Sequence, residues 1–460
     1  MNGIIIISIL AILVLFLGLY KAQKAILPVA LLGLAASAGT YIAQWNVNMY
    51  YFNNMIFIDN YSIAFSVLTI VATMLILLMS PGYFERISTN VAEYVALILF
   101  SLVGVLCMIC YNDLSMLFIG IEIMSICMYI LAGIRKKDLI SNEASLKYLL
   151  MGSFATGFLL FGIALIYGFI GSFNIETIGT VVTESGGDTA ALFDLGVLLM
   201  IVGLSFKVSA APFHFWAADV YDGAPSLITA YMSSVVKTAS FVAFLKIFLV
   251  AFGSIYLQYT STLWAISALT IVVGNLIALY QHSFKRMLAY SSISHAGYML
   301  MAILALGDSS SNALFFYASA YTFASIIAFG VLIKVKQLKN SEDIGAFNGL
   351  AKTNPLAAFA LTIAMTSMAG IPLTAGFIGK FYMFATALSQ GYTWLVFIAV
   401  LSAVIGIWYY FKVIIAMYMK DADDAQVAIS FGSSSKMVLW IATLASIVLG
   451  VLPGLISAIL

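Results

Sequence analysis

The sequence is short of charge. Only 8% of its 460 residues are Asp, Glu, Lys or Arg, where a soluble domain carries roughly 25%. A fold of this length could not keep its surface wet with so few ionised groups, which excludes soluble globular and disordered classes. Its 20 basic and 19 acidic residues cancel to a net charge of +1, so no basic patch is offered to nucleic acid. Cysteine is scarce too: Cys107, Cys110 and Cys127 all fall in apolar runs. Cys107 and Cys110 make a C-x-x-C, but no second pair or histidine cluster completes a metal site. They read as small buried hydrophobes.

What is abundant is apolar side chain, 63% of the chain. A helix needs ~20 apolar residues to cross the hydrocarbon layer. Windows of that length predict fourteen spans, near 3–20, 25–43, 60–80, 91–110, 113–133, 144–170, 191–216, 226–252, 261–281, 287–307, 311–335, 355–389, 392–418 and 436–458. The first has no basic n-region and no small-residue cleavage site behind it, so it is expected to be a mature helix, not a signal peptide. The fold class is an all-α polytopic membrane protein.

The basic residues orient it. Connections after odd-numbered spans hold Lys21, Lys24, Arg86, Arg135, Lys136, Lys137, Lys285, Arg286, Lys334, Lys336, Lys339, Lys352, Lys420 and Lys436; those after even-numbered spans hold none. The connection 171–190 carries Glu176, Glu184 and Asp188 instead. The positive-inside rule makes the basic side cytoplasmic and predicts that both termini face outward.

Six basic residues remain inside spans: Lys147, Lys207, Lys237, Lys246, Lys380 and Lys412. Lys147 and Lys412 lie close enough to the cytoplasmic boundary to snorkel. Lys246 sits toward the outer end of span 8. Lys207, Lys237 and Lys380 are deep, and among the acids Glu122 of span 5 is comparably central. A charge at the bilayer centre costs ~3 kcal/mol or more without a partner or water. One such group is tolerable as structure; four point to an ion path. Burial favours the neutral form of such groups and pairing favours the charged form, so a Lys–Glu pair of variable separation is a proton switch. His295, about two turns into span 10, can accept at one ring nitrogen and donate at the other, which suits a relay. His214 and His282 lie near the cytoplasmic interface, where solvated or loop-packing roles are expected.

Two spans are broken. Span 7 runs through GLSFKVSAAP to Pro212, and span 12, ~35 residues long, contains GIPLTAGFIGK with Pro372 ahead of Lys380. Proline removes an amide and clashes with the preceding turn, and unwound backbone at membrane depth must be covered by protein or line a cavity. A break beside a buried lysine in each is the layout of a transport site. Because spans 7 and 12 are five apart, an odd number, spans 4–8 and 9–13 are expected to be inverted five-helix repeats. The chain then divides into three N-terminal helices (1–90), a first repeat (91–252), a second (261–418) and a C-terminal helix (436–460).

Three stretches carry a resemblance. They are GLSFKVSAAPFHFWAADVYDGAPSLITAYMSSVVK (203–237), EASLKY (143–148) followed by Gly152 and Gly157, and HSFKRMLAYSSISHAGY (282–298). Together they resemble the proton-conducting antiporter-like subunits of respiratory complex I, the NADH:quinone oxidoreductase. Fourteen helices and 460 residues fit the N type, counterpart of mitochondrial subunit 2, better than the longer L and M types. The resemblance implies that Glu122 and Lys207 form a pair that modulates proton affinity. It implies that Lys237 and His295 connect the two halves, and that Lys380 faces an outer half-channel. It further implies a multi-pass protein of the bacterial inner membrane among antiporter-like neighbours and small helical subunits. FMN, iron–sulfur clusters, NADH and quinone would be bound by those partner subunits, and no metal or cofactor by this chain. The absence of a cysteine cluster, dinucleotide fingerprint or flavin motif agrees with that. A homologous subunit of a multi-subunit Na⁺/H⁺ antiporter would share the lysines and breaks. A non-conducting membrane scaffold is the third alternative.

Overall fold

The computed structural model describes residues 1–84, 90–187, 190–307, 309–421 and 431–455. Arg86 and Asp188, used above for orientation, and the end of the fourteenth expected span lie outside the described residues. The helices are α1 (Asn2–Leu19), α2 (Gln23–Ile42), α3 (Asn60–Leu78), α4 (Val91–Cys110), α5 (Leu114–Ala132), α6 (Leu139–Ile170), α7 (Ile175–Glu184), α8 (Ala191–Lys207), α9 (Phe215–Gly223) and α10 (Ser226–Tyr231). After a π-helical turn at Met232–Val236 come α11 (Lys237–Val250), α12 (Tyr256–Leu279), α13 (Phe284–Leu304) and α14 (Ser310–Lys339). The last are α15 (Leu350–Thr353), α16 (Pro355–Ala369), α17 (Ala375–Ser389), α18 (Thr393–Met419) and α19 (Ser433–Val451). Twelve helices among the described residues are long and apolar enough to span a bilayer, counting α10 through α11 as one. The other two expected spans are the pairs α8/α9 and α16/α17.

Polar caps set the helix starts. Asp59 and Ser62 form a reciprocal capping box on α3, and Asp113, Asp138, Asn174, Ser283 and Asn354 accept from first-turn amides of α5, α6, α7, α13 and α16. Such side chains satisfy amides that have no partner inside the helix. The structure adds elements that apolar windows do not register. A hairpin pairs β1 (Met49–Tyr51) with β2 (Ile56–Ile58), amphipathic α7 lies in the acidic connection, and α9 extends past the expected end of span 7. Helix α6 begins five residues before its expected start and is 32 residues long.

The two ends of the bundle separate as the basic residues demand. At one end Ile56 bridges to Tyr111 and Asp113 to Asn174, joining the connections after spans 2, 4 and 6. At the other, Ser283 bridges to Asp343, and Arg135, Lys136, Lys137 and Lys336 line one cavity of about 730 Å³ with Tyr83 and Ser226. These are called the hairpin end and the basic end below. Helices α13 and α14 are almost wholly enclosed, while α6 and α18 present Phe154, Phe161, Val404 and Trp408 outward, as lipid-facing surfaces do.

Glycines weld neighbouring helices. A Cβ on Gly104 of α4 would lie 2.5 Å from the Met124 amide nitrogen of α5, and one on Gly274 of α12 would lie 2.4 Å from the Ser294 nitrogen of α13. Only the missing side chain lets the backbones touch, the packing favoured between membrane helices. Gly162 and Gly196 do the same for α6 and α8.

An ionic clamp closes the basic end. Lys285, expected in an exposed connection, is instead fully buried. The first turn of α13 carries it under the loop that follows α14. There it donates to the Asp222 and Ala224 carbonyl oxygens at 2.7 and 2.6 Å and pairs with Glu342 at 3.6 Å. Lys336 pairs with the same carboxylate at 2.5 Å. Arg286 reaches Asp222 at 3.0 Å, and Lys147 joins Glu143 and Asp219. Burial acts to raise the Glu342 carboxyl, but the two ammonium groups outweigh it and hold the group below its usual 4.5. A depressed carboxylate contributes stability above its unfolded-state pKa and loses it as the pH falls through the folded one. Glu342→Gln should therefore cost about 2 kcal/mol at neutral pH. The deficit should stay constant down to about pH 5 and shrink below the usual carboxylate range, read as melting temperatures of the purified protein against pH.

Candidate functional site

Lys207 ends α8. The chain then unwinds through Ser209, in the left-handed region at φ +62°, and Pro212 before α9 begins. The loosened backbone is covered by protein: the Ala211 amide donates to the Thr270 hydroxyl of α12 at 2.9 Å, and the Trp216 indole donates to the Phe206 carbonyl at 3.0 Å. The buried Lys207 ammonium donates to the Ser125 hydroxyl at 2.9 Å. Glu122 stands three residues before Ser125 on α5, with one carboxylate oxygen buried and unpartnered. No ion pair joins Glu122 to Lys207, whose ammonium is held by Ser125.

Lys237 follows directly on the π-helical turn. That geometry, common at functional sites, rotates the chain by a fraction of a turn and delivers Lys237 to α13. Its ammonium donates to the Ser292 carbonyl at 2.8 Å and also to the Ser292 hydroxyl. One turn further along α13 is His295. Its Nδ1 shares a hydrogen bond of 2.7 Å with the Tyr317 hydroxyl, and its Nε2 one of 3.1 Å with the Tyr410 hydroxyl. Tyr410 in turn meets Ser291 at 2.5 Å. Lys237 and His295 are thus tied to consecutive turns of one helix.

Lys380 uses the second break. Helix α16 ends at Ala369, Gly370 turns the chain at φ +85°, and Pro372 lies in the unwound segment before α17. The Lys380 ammonium donates to the Met368 and Ala369 carbonyls, each at 2.9 Å, oxygens left without amide partners by the helix end. The partial negative charge of a helix C-terminus favours a cation there, and the Tyr298 ring lies 5.0 Å from Nζ. Between Lys380 and His295 is a cavity of about 10 Å³ lined by His295, Tyr317, Tyr321, Ser367, Met368 and Gly376. That is room for a single water. A wider cavity of about 390 Å³, lined by Ser309, Asn312, Tyr382, Thr386 and Ser389, opens at the hairpin end of α17.

The structure therefore gathers Lys237, His295 and Lys380 into one line and leaves Glu122 and Lys207 as a second cluster with Ser125. Sequence reading missed Ser125, Ser292, Tyr317 and Tyr410, and also Asn275, which accepts from Tyr409 at 2.9 Å and donates to Tyr298 at 3.2 Å. Their one signal was depth: tyrosines favour membrane interfaces, whereas these lie mid-span. His214 is the buried N-cap residue of α9, with its Nδ1 unpartnered, and His282 is exposed, its carbonyl accepting from the Ile344 amide.

Residues 111–406 match the family described as NADH:quinone oxidoreductase/Mrp antiporter, TM. NADH-quinone oxidoreductase subunit N of Cytophaga hutchinsonii is 44% identical over 100% of this chain and 99% of its own. That decides between the alternatives. The chain belongs to the NADH-quinone oxidoreductase subunit N family. A second member of this family, from Flavobacterium psychrophilum, is 39% identical over the full length of both chains. A chain of respiratory complex I from Thermus thermophilus superposes with a TM-score of 0.85 at 30% identity, covering 99% of this chain and 98% of that one. A chain of the Mrp complex from Dietzia sp. gives 0.88 at 20% identity over 99% and 95%, which shows a shared fold.

Gly370 is the position in this subunit N chain where backbone and site meet. A Cβ there would lie 2.9 Å from Lys380 Cδ, on a backbone that L side chains rarely adopt. Gly370→Ala should destabilise by about 1–2 kcal/mol and push the lysine off its carbonyls. The check is a lower melting temperature together with weaker proton pumping by the assembled enzyme.

Proposed function

We propose that this chain moves protons across the bacterial inner membrane as part of the NADH:quinone oxidoreductase, by way of Glu122, Lys207, Lys237, His295 and Lys380. The observation that carries the reading is the set of buried polar groups on and around α13: Lys237 on Ser292, His295 one turn along on Tyr410 and Tyr317, and beside His295 a water-sized cavity reaching Met368, whose carbonyl holds Lys380. Every member is a proton donor or acceptor. A neutral imidazole donates at one nitrogen and accepts at the other, so His295 takes a proton from one tyrosine side and returns one on the other by exchanging tautomers. The basic end is the cytoplasmic side and the hairpin end the outer side, with both termini outward, as the positive-inside rule requires.

Residues 91–252 and 261–418 act in this reading as two inverted halves. In support, the broken pair of each half packs on the helix before it, α8 on α6 and α16 on α14. The first half takes protons from the cytoplasm near Lys207, whose hold on its proton depends on the distance to Glu122. The second releases them from Lys380 into the cavity beside Thr386. Electron transfer takes place in partner subunits, where FMN, iron–sulfur clusters, NADH and quinone are bound. This chain supplies no redox group, and its neighbours are further antiporter-like and small helical subunits.

Vesicles containing the assembled enzyme test this. Lys237→Met and Lys380→Met should leave assembly intact and lower the number of protons taken up per NADH oxidised. Lys207→Ala should do the same. An assembled Lys207→Ala enzyme with wild-type proton stoichiometry would sink the reading.

A further inference from the structure

One buried lysine lies outside this line. Lys246 is 4% exposed, and its ammonium has no hydrogen-bond partner. It is nine residues beyond Lys237 on α11, which at 100° per residue places it on the opposite face of that helix. Instead of α13, it faces the hairpin and the start of α5. The Tyr111 ring lies 5.4 Å from Nζ and the Phe57 ring 5.8 Å. The cradle is built deliberately: the Tyr111 hydroxyl donates to the Ala243 carbonyl at 2.8 Å and the Tyr61 hydroxyl to the Val242 carbonyl at 3.0 Å, both on α11. Aromatic faces attract a cation without accepting its protons. The carboxylates whose fields reach Lys246 are Asp59 and Glu176, and the Cys110 thiol is its third titratable neighbour.

What lies on either side gives this position meaning. Toward the hairpin end, Phe57, Asp59, Asn60, Tyr61 and Ser311 line a cavity of about 370 Å³. Toward the basic end runs a column of buried hydroxyls. Ser66, beside Cys110 at 3.8 Å, is followed on the same face of α3 by Thr69 and Thr73. Thr73 and Ser101 then approach the Tyr231 hydroxyl, and the Ser101 hydroxyl has no partner of its own. Below them Tyr83 lines the large basic cavity. Each hydroxyl can both donate and accept. The column is a second polar path, between α3 and the first half, separate from the lysine–histidine groups and stopped at its hairpin end by one positive charge.

We propose that Lys246 is an electrostatic plug, whose ammonium bars protons and other cations from passing between the outer cavity and the hydroxyl column that lies between α3 and the first half. The inference rests on the proton-moving reading above and on its assignment of the hairpin end to the outer side. A pump whose first half is filled from the cytoplasm must be closed outward, and a fixed positive charge in a narrow polar path is a known way to exclude cations. Aromatic faces hold that charge with no carboxylate in hydrogen-bonding contact, so Asp59 and Glu176 offset its field only from a distance.

The test uses the assembled enzyme in sealed vesicles, with an imposed pH gradient followed by dye in the absence of NADH. In Lys246→Met the gradient should decay about tenfold faster than in wild type, the size expected of one unit charge acting across about 10 Å at an effective dielectric near 20. NADH oxidation should continue, and Lys246→Arg should restore tightness. Asp59→Asn should stay tight. Lys380→Met should lower protons per NADH without raising the leak, so that if Lys380→Met pumps normally the wider reading fails, and if it pumps less while Lys246→Met is as tight as wild type the plug alone fails. Lowered stoichiometry with tight vesicles in Lys246→Met would make the lysine a relay member and also overturn the plug. Should Lys246→Met not assemble, Phe57→Glu decides the matter by setting a carboxylate over the intact ammonium. It should leak where Phe57→Gln does not, and equal tightness of the two would overturn the proposal.

Discussion

An ammonium group at membrane depth needs a substitute for water, and in this protein most of that substitute is backbone oxygen. Lys237 is held by the Ser292 carbonyl, Lys380 by those of Met368 and Ala369, and Lys285 by those of Asp222 and Ala224. A regular helix has no such carbonyls to give, because each is already bonded four residues on. The oxygens come from helix ends and breaks, or from a carbonyl approached from the side. The broken helices and the buried lysines are therefore one constraint seen twice. A carbonyl also differs from a carboxylate in a way that matters for transport: it solvates the charged lysine without becoming an ion, so the lysine can lose its proton and leave no orphaned charge behind.

The five titratable residues were legible because charge is so rare that any instance of it deep in a span stands out. The breaks were legible from Pro212 and Pro372 beside those lysines. The rest depends on which helices cross. Tyr317 and Tyr410 are 22 and 115 residues from His295, and nothing in a tyrosine inside an apolar run announces that it will meet an imidazole. Ser125 is a commonplace helix residue until α8 places an ammonium against it. Lys285 read as a solvated loop residue because periodicity ignores what folds over a helix start. Glu122 and Lys207 show the same limit: both were legible, but the Ser125 hydroxyl that takes the Lys207 ammonium emerges only from packing.

Charge in this chain has three kinds of setting. At the basic end it is paired with opposite charge, as where Lys285 and Lys336 meet Glu342 and Arg286 meets Asp222. Along the line it is solvated by neutral dipoles and so remains free to change. At Lys246 it is surrounded by rings. Carboxylate, carbonyl or aromatic neighbours thus give the same side chain three electrostatic settings, and the proposed roles of carrier and barrier rest on the last two.

The glycine crossings bear on how such a device can move. Where α4 touches α5, α12 touches α13 and α6 touches α8 through bare backbone, sliding by even an ångström would drive atoms into one another. Those pairs form a chassis. What remains pliable is short: the unwound stretches 208–214 and 370–374, the π-helical turn before Lys237, and the lysine stems themselves. For the proposed proton path, a stroke confined to the swing of a side chain and the passage of one water would let several such units stand side by side in a membrane without jostling one another.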